Sequence, residues 1–147
     1  MAIEKVREYL KQFGADGRIR ELAESCATVE LAAQALHCEP RRIAKTLSFH
    51  LDDRVILIVA AGDARIDNRK YKEQFGRKAK MLAGEEAEPL TGHAVGGVCP
   101  FAVKEGVAIY LDVSLKRFET VFPACGSANS VIELSLDELE RFSGSSQ

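Results

Sequence analysis

The 147-residue chain is first informative for what it lacks. No apolar run approaches the ~18 residues that a membrane-spanning helix requires. Its first residues, "MAIEKVREYLKQFG", mix charge into an amphipathic pattern without the apolar stretch of a secretory leader. The four cysteines (Cys26, Cys38, Cys99 and Cys125) are irregularly spaced with no C-x-x-C, and His37–Cys38 has no second pair at zinc-finger spacing. Reduced thiols in a cytoplasmic protein without a metal site are therefore expected. Internal repeats, low-complexity tracts and Pro/Ser-rich linkers are absent, so residues 1–147 read as one domain. No G-x-S-x-G elbow surrounds Ser127, which speaks against a serine nucleophile.

What is present is globular in composition: 46% of residues are hydrophobic and 29% charged, enough at this length to bury a core without staples. The net charge of −2 hides an uneven distribution. Seven basic residues (Arg65, Arg69, Lys70, Lys72, Arg77, Lys78 and Lys80) fall in one stretch against two acidic ones, Asp67 and Glu73. Such asymmetry points to an anionic partner meeting one face, with phosphate the first candidate. A solvated helix face is the alternative.

Periodicity supplies a coarse order of elements. Ile3, Val6, Leu10 and Phe13 recur at helical spacing, with Gly14 placed to close the helix. "RIREL" reads as a short edge strand, and "SCATVELAAQALH" as a second helix entered at Ser25 or Thr28. "IAKTLSFHL" alternates, whereas "RVILIVAAG" is almost continuously apolar, as a strand covered on both faces would be. "DNRKYKEQFG" predicts a basic helix capped by Asp67 or Asn68 and stopped at Gly76. "AKML" reads as a brief strand and "GEEAEPL" as a turn or single helical turn. "FAVKEGVAIYLDVSL" predicts two short strands about "KEG", and "ETVFPA" and "SVIEL" two more joined by "CGSAN". "SLDELERF" predicts a last helix with Ser135 and Glu138 as a capping box. The expected fold is α+β, with a curved, mostly antiparallel mixed sheet and peripheral helices.

Three segments carry candidate chemistry. In "GGVCP", Gly96 and Gly97 allow a tight turn, and Pro100 lacks an N–H and biases Cys99 toward extended geometry. The N–H groups of Gly97, Val98 and Cys99 are then open to face a cavity, where successive amides make an anion site or oxyanion hole. An ordinary Gly-Pro turn is the alternative. In "RRIAKTLSF", Lys45 shares strand parity with Leu47 and Phe49, so it faces inward and needs an anionic partner or a wet pocket. Snorkelling at the strand end is the other reading. In "PACGSANS", Gly126 and Ser127 offer an amide and a hydroxyl to a ligand, or simply make a turn. His93 and Cys99 could act as a nucleophilic pair only if folding brings them together, and buried packing is the commoner role of a thiol.

Four segments in order resemble the YbaK/prolyl-tRNA synthetase-associated domain family of aminoacyl-tRNA deacylases. They are "IAKTL" (Ile43–Leu47), "AAGDARID" (Ala60–Asp67), "GGVCPF" (Gly96–Phe101) and "CGSANSVIEL" (Cys125–Leu134), behind the helix "TVELAAQALHCEP". The resemblance spans Ser25 to Phe142 and includes no synthetase segment. It implies a free-standing domain that deacylates mischarged tRNA in trans and supports translational fidelity. The implied substrate carries Ala, Ser, Thr or Cys, on tRNA for proline or a related tRNA.

The same resemblance distributes roles over the residues. Lys45 is expected to engage the aminoacyl-adenosine end, and the loop from Gly96 to Pro100 to position the aminoacyl group. The expected catalytic set is Lys45, Gly96, Gly97, Val98 and Cys99, the loop residues acting through their backbone. Thr46, His93, Pro100, Gly126 and Ser127 form the expected substrate-binding set. The seven basic residues between Arg65 and Lys80 are expected to meet acceptor-stem phosphates. An aminoacyl ester is already activated, so no cofactor is expected. Aminoacyl-tRNA is the expected partner, and an aminoacyl-tRNA synthetase a second one. Two rivals stand beside this reading: a non-catalytic nucleic-acid-binding module, and a hydrolase dependent on Cys99 and His93.

Overall fold

Helix α1 (Ala2–Lys11) buries Val6 and Leu10 on one face, as its apolar spacing predicts. A computed structural model of the chain describes residues 2–23, 25, 28–94, 97–127 and 129–144. Strand β1 (Arg20–Glu21) is followed by α2 (Val29–Leu36), which Thr28 caps by accepting from the Leu31 N–H. Strands β2 (Ile43–Leu51) and β3 (Arg54–Ala61) form a hairpin whose turn holds Asp52 at φ 57°. Helix α3 (Asn68–Phe75) starts at Asp67, which accepts from the N–H groups of Arg69 and Lys70, and stops at Gly76. Then come α4 (Gly84–Thr91), β4 (Ala108–Leu111), β5 (Thr120–Pro123), β6 (Ser130–Val131), β7 (Leu134–Ser135) and α5 (Leu136–Ser143). The Ser135–Glu138 capping box opens α5.

Five strands form a curled mixed sheet in the order β4-β3-β2-β5-β7, and β1 and β6 pair separately. Antiparallel pairing dominates through the eight paired positions of β2 and β3, with β2–β5 and β3–β4 parallel. Strand parity divides the apolar residues cleanly. Ala44, Leu57, Val59 and Ile109 face the main core with α1 and α5, while Phe49, Ile56 and Ile58 face Tyr71 of α3. The apolar run of β3 is covered on both faces for this reason. Among the described residues no helix is long and apolar enough to cross a membrane.

Three local expectations change in the fold. "FAVKEGVAIYLDVSL" makes one strand, β4, because its first half turns at Ala102 (φ 52°) and sinks Phe101 into the core. "GEEAEPL" extends to the eight-residue α4, which tolerates Pro89. "AKML" contributes only a bridge: the His50 N–H donates to Lys80 O (2.8 Å) and the Leu82 N–H to Ser48 O (3.1 Å).

So brief a bridge leaves part of β2 uncovered. Strand β2 pairs with β5 only at Ile43 and Ala44, and meets Met81 again at Phe49. Between those points its edge has no neighbouring strand among the described residues. Because the main chains of Ser48 and His50 point to that side, the two-residue alternation turns that of Thr46 the same way.

Candidate functional site

The open edge of β2 is the floor of a cleft of about 480 Å³. Thr28, Val29 and Ala32 form one wall; Met81 to Gly84, with Ala87 of α4, form another. Phe122, Ala124, Val131 and Val98 close the remaining side. The lining is mostly apolar, so the cleft suits a small side chain flanked by a few polar groups.

Lys45 lines this cleft, half-buried, on the strand face that its parity predicts. Its ammonium donates to Gly62 O (3.4 Å) and to Ala64 O. Burial pulls its pKa below the usual lysine value, with Asp63 opposing that shift and Arg65 adding to it. Asp63 is held in turn by both terminal nitrogens of Arg117, at 3.0 and 2.5 Å, so the carbonyls beside Lys45 sit on a braced turn. Gly62 lets that turn lie close to its neighbours: a Cβ there would fall 2.1 Å from Pro40 O.

The glycine loop approaches from the other side. Gly97 is buried against the Gly126–Ser127 turn, where a Cβ would stand 2.7 Å from Gly126 C and 2.8 Å from Ser127 N. Space, rather than a left-handed φ, therefore demands glycine at 97. The Gly97 N–H differs from expectation: it donates to Ala94 O (3.0 Å) and is consumed by a local turn. The N–H groups of Val98 and Cys99 have no acceptor among the described residues. Gly96 lies outside the described residues.

His93 and Cys99 do meet, with Nε2 3.5 Å from Sγ, but both are fully buried. His93 Nε2 lies 2.7 Å from Phe101 O, so this nitrogen carries the proton and donates to the carbonyl. It is then unable to accept a proton from the thiol. Burial pushes the Cys99 thiol up to about 12 and keeps the imidazole neutral. Such a thiol is a packing group, and the His93–Phe101 bond ties the two ends of the loop together. Ser127 Oγ is engaged with Asn129 Oδ1 (3.0 Å) and Ser130 Oγ (2.6 Å).

Of the residues singled out by sequence, Lys45, Thr46 and Val98 line one cleft. Gly97, Gly126 and Ser127 meet beside it, and Cys99, Pro100 and His93 are buried. The seven basic residues are exposed; Arg69 lies 3.6 Å from Glu73 and Arg77 2.9 Å from Asp52. Sequence reasoning overlooked the α2 and α4 walls, the Gly62 and Ala64 carbonyls, and the brace from His93 to Phe101. The motif "AAGDARID" holds two of these features, but nothing local in it shows that its carbonyls meet Lys45.

Comparison with known proteins bears on this arrangement. A family model described as aminoacyl-tRNA editing domain matches residues 23–142. An uncharacterized protein of Bacillus subtilis (strain 168), YwhH, is 53% identical over 97% of this chain and 92% of its own length. A proline–tRNA ligase of Geobacillus sp. (strain WCH70) is 33% identical over 68% of this chain, which spans 18% of that ligase. The crystal structure of a candidate trans-editing enzyme for prolyl tRNA synthetase superposes with a TM-score of 0.88 at 29% identity, covering 98% of this chain and 92% of that one.

Proposed function

This chain belongs to the aminoacyl-tRNA editing domain family, and from that premise we propose that it hydrolyses the ester of mischarged aminoacyl-tRNA. The observation that carries the reading is one cleft lined by both Lys45 and Val98, bounded by mostly apolar walls. Its dimensions and lining favour a small aminoacyl group (Ala, Ser, Thr or Cys), on tRNA for proline or a related tRNA. Acting in trans and in the cytoplasm, it would return free amino acid and uncharged tRNA.

In the mechanism, the ester carbonyl lies beside the glycine loop, and the Val98 amide donates to the oxygen that becomes an oxyanion. Water adds to the carbonyl carbon, or a hydroxyl of the substrate assists it. Collapse of the tetrahedral intermediate breaks the bond from carbon to the ribose oxygen, which takes up a proton. Lys45 supplies positive charge for the terminal phosphate or ribose, and the Gly62 and Ala64 carbonyls hold its ammonium in place. The burial and neutrality of Cys99 and His93 favour this route over a thiol nucleophile.

A deacylation screen with alanyl-, seryl-, threonyl- and cysteinyl-tRNA tests the proposal. Lys45→Ala should keep the fold and lose about 10²-fold in rate on the preferred substrate, whereas Cys99→Ser should keep substantial activity. Wild-type turnover by Lys45→Ala overturns the role of Lys45. Complete loss in Cys99→Ser would move the chemistry to the thiol.

A further inference from the structure

A second pocket, of about 380 Å³, lies between α3 and the end of β4, and hydrolysis in the Lys45 cleft makes no use of it. One side is aromatic. Tyr71, Phe75 and Tyr110 all line it, their ring centroids 4.7 and 5.0 Å apart in sequence along the wall. Tyr71 is 4% exposed, yet its hydroxyl has no hydrogen-bond partner among the described residues. An unmade bond of this kind costs stability unless a ligand completes it. Arg65 and Lys70 stand at the rim, exposed and without an ion-pair partner among the described residues. Beside them Val113 leaves 69% of its surface open at the same rim.

Two carboxylates complete the lining. Asp67 caps α3 through Oδ1, and Asp112 accepts from the Ser114 N–H through Oδ2. Each thus uses one oxygen in these turns, and its second oxygen, without a hydrogen-bond partner among the described residues, suits a ribose hydroxyl or a base amino group. Aromatic rings tilted 51° and 77° to one another, a buried hydroxyl, carboxylates and cations at the rim together match a nucleotide: the base packs against one ring, the sugar and amino groups donate, and the phosphate meets Arg65 and Lys70. The pocket also adjoins the cleft along the chain. Gly62 and Ala64 hold Lys45, and the next two residues, Arg65 and Ile66, line the pocket.

We propose that this pocket takes an unpaired nucleotide of single-stranded RNA, namely one preceding the esterified adenosine at the 3′ end of tRNA. The identity of the RNA rests on the editing reading; the nucleotide chemistry of the pocket does not. Two of the three tyrosines line it and the chain has no tryptophan, so tyrosine emission reports on occupancy.

The test is a titration with uncharged 5′-CCA-3′ trinucleotide and, separately, with CMP, followed by tyrosine quenching and calorimetry. Saturable quenching by the trinucleotide, with CMP weaker, is expected. Tyr71→Phe should weaken trinucleotide binding about fivefold without lowering Tm, because it removes an unpartnered hydroxyl. Val113→Glu, a change at an exposed rim position, should weaken it about tenfold by repelling the phosphodiester. Absent quenching, or unchanged affinity in both variants, overturns the pocket. Equal affinity for CMP makes it a free-nucleotide site and overturns the RNA assignment. Failure of the editing reading is a different result, namely no hydrolysis of alanyl-, seryl-, threonyl- or cysteinyl-tRNA by the wild-type protein, and leaves the trinucleotide titration intact.

Discussion

Gly97 shows how a single missing side chain organises the cleft. The atoms that an added Cβ would strike, Gly126 C and Ser127 N, are main chain and cannot rotate away. Gly97→Ala must therefore push the loop off the neighbouring turn, at about 1–3 kcal/mol, and carry the Val98 amide with it. Thermal unfolding and deacylation should fall together in this variant. Gly17→Ala, with nothing within 4 Å of the added methyl, is the matched control and should leave both unchanged. Lys45 works at the same scale but by charge. Its parity with Leu47 and Phe49 is visible in the alternation, whereas its acceptors, Gly62 and Ala64, belong to a turn beyond the hairpin.

Helix α5 illustrates how an element is held from both ends of the chain. Glu138 completes the capping box with Ser135 and also receives Arg18, whose Nη1 and Nη2 lie 2.6 and 3.1 Å from its carboxylate. The Arg18 guanidinium, then the Ser135 N–H, hold the Glu138 carboxyl down to about 2. A depressed carboxylate stabilises the fold above its unfolded pKa, near ~4.3, and that contribution fades as pH falls through the folded value. Glu138→Gln keeps the cap but drops the charge, and should cost about 1–2 kcal/mol at pH 7 after allowance for solvent screening. Chemical denaturation of the two proteins should converge as pH approaches 2. A constant difference across that window would show that the ion pair contributes nothing. The capping box itself was legible in "SLDELE", since its partners are three residues apart; Arg18 was not, because it lies far away along the chain.

Across the whole molecule, the basic stretch from Arg65 to Lys80 covers α3 and the segment beyond it, on the side of the sheet opposite α1 and α5. If tRNA phosphates meet this face, binding should weaken with salt, and each lost contact should lower the log–log slope by about one. Lys72→Ala with Lys78→Ala should then reduce the slope by about two while leaving Tm unchanged, as measured by filter binding over a salt series. An unaltered slope would place the RNA elsewhere.

By itself the sequence determined helices α1, α2, α3 and α5, the Ser135–Glu138 capping box, the β2–β3 hairpin and the inward face of Lys45, because periodicity and capping act between residues a few positions apart. It misjudged "GEEAEPL" and the strand before "KEG", where distant contacts outweigh local preference. Only the tertiary structure decided that β2 would lack a neighbour along part of its edge, that Gly97 would press on Gly126, and that His93 would spend its proton on Phe101 O. The second pocket is likewise tertiary, made where α3 crosses the end of β4. These features depend on which surfaces are buried together, and burial joins residues without regard to their distance along the chain.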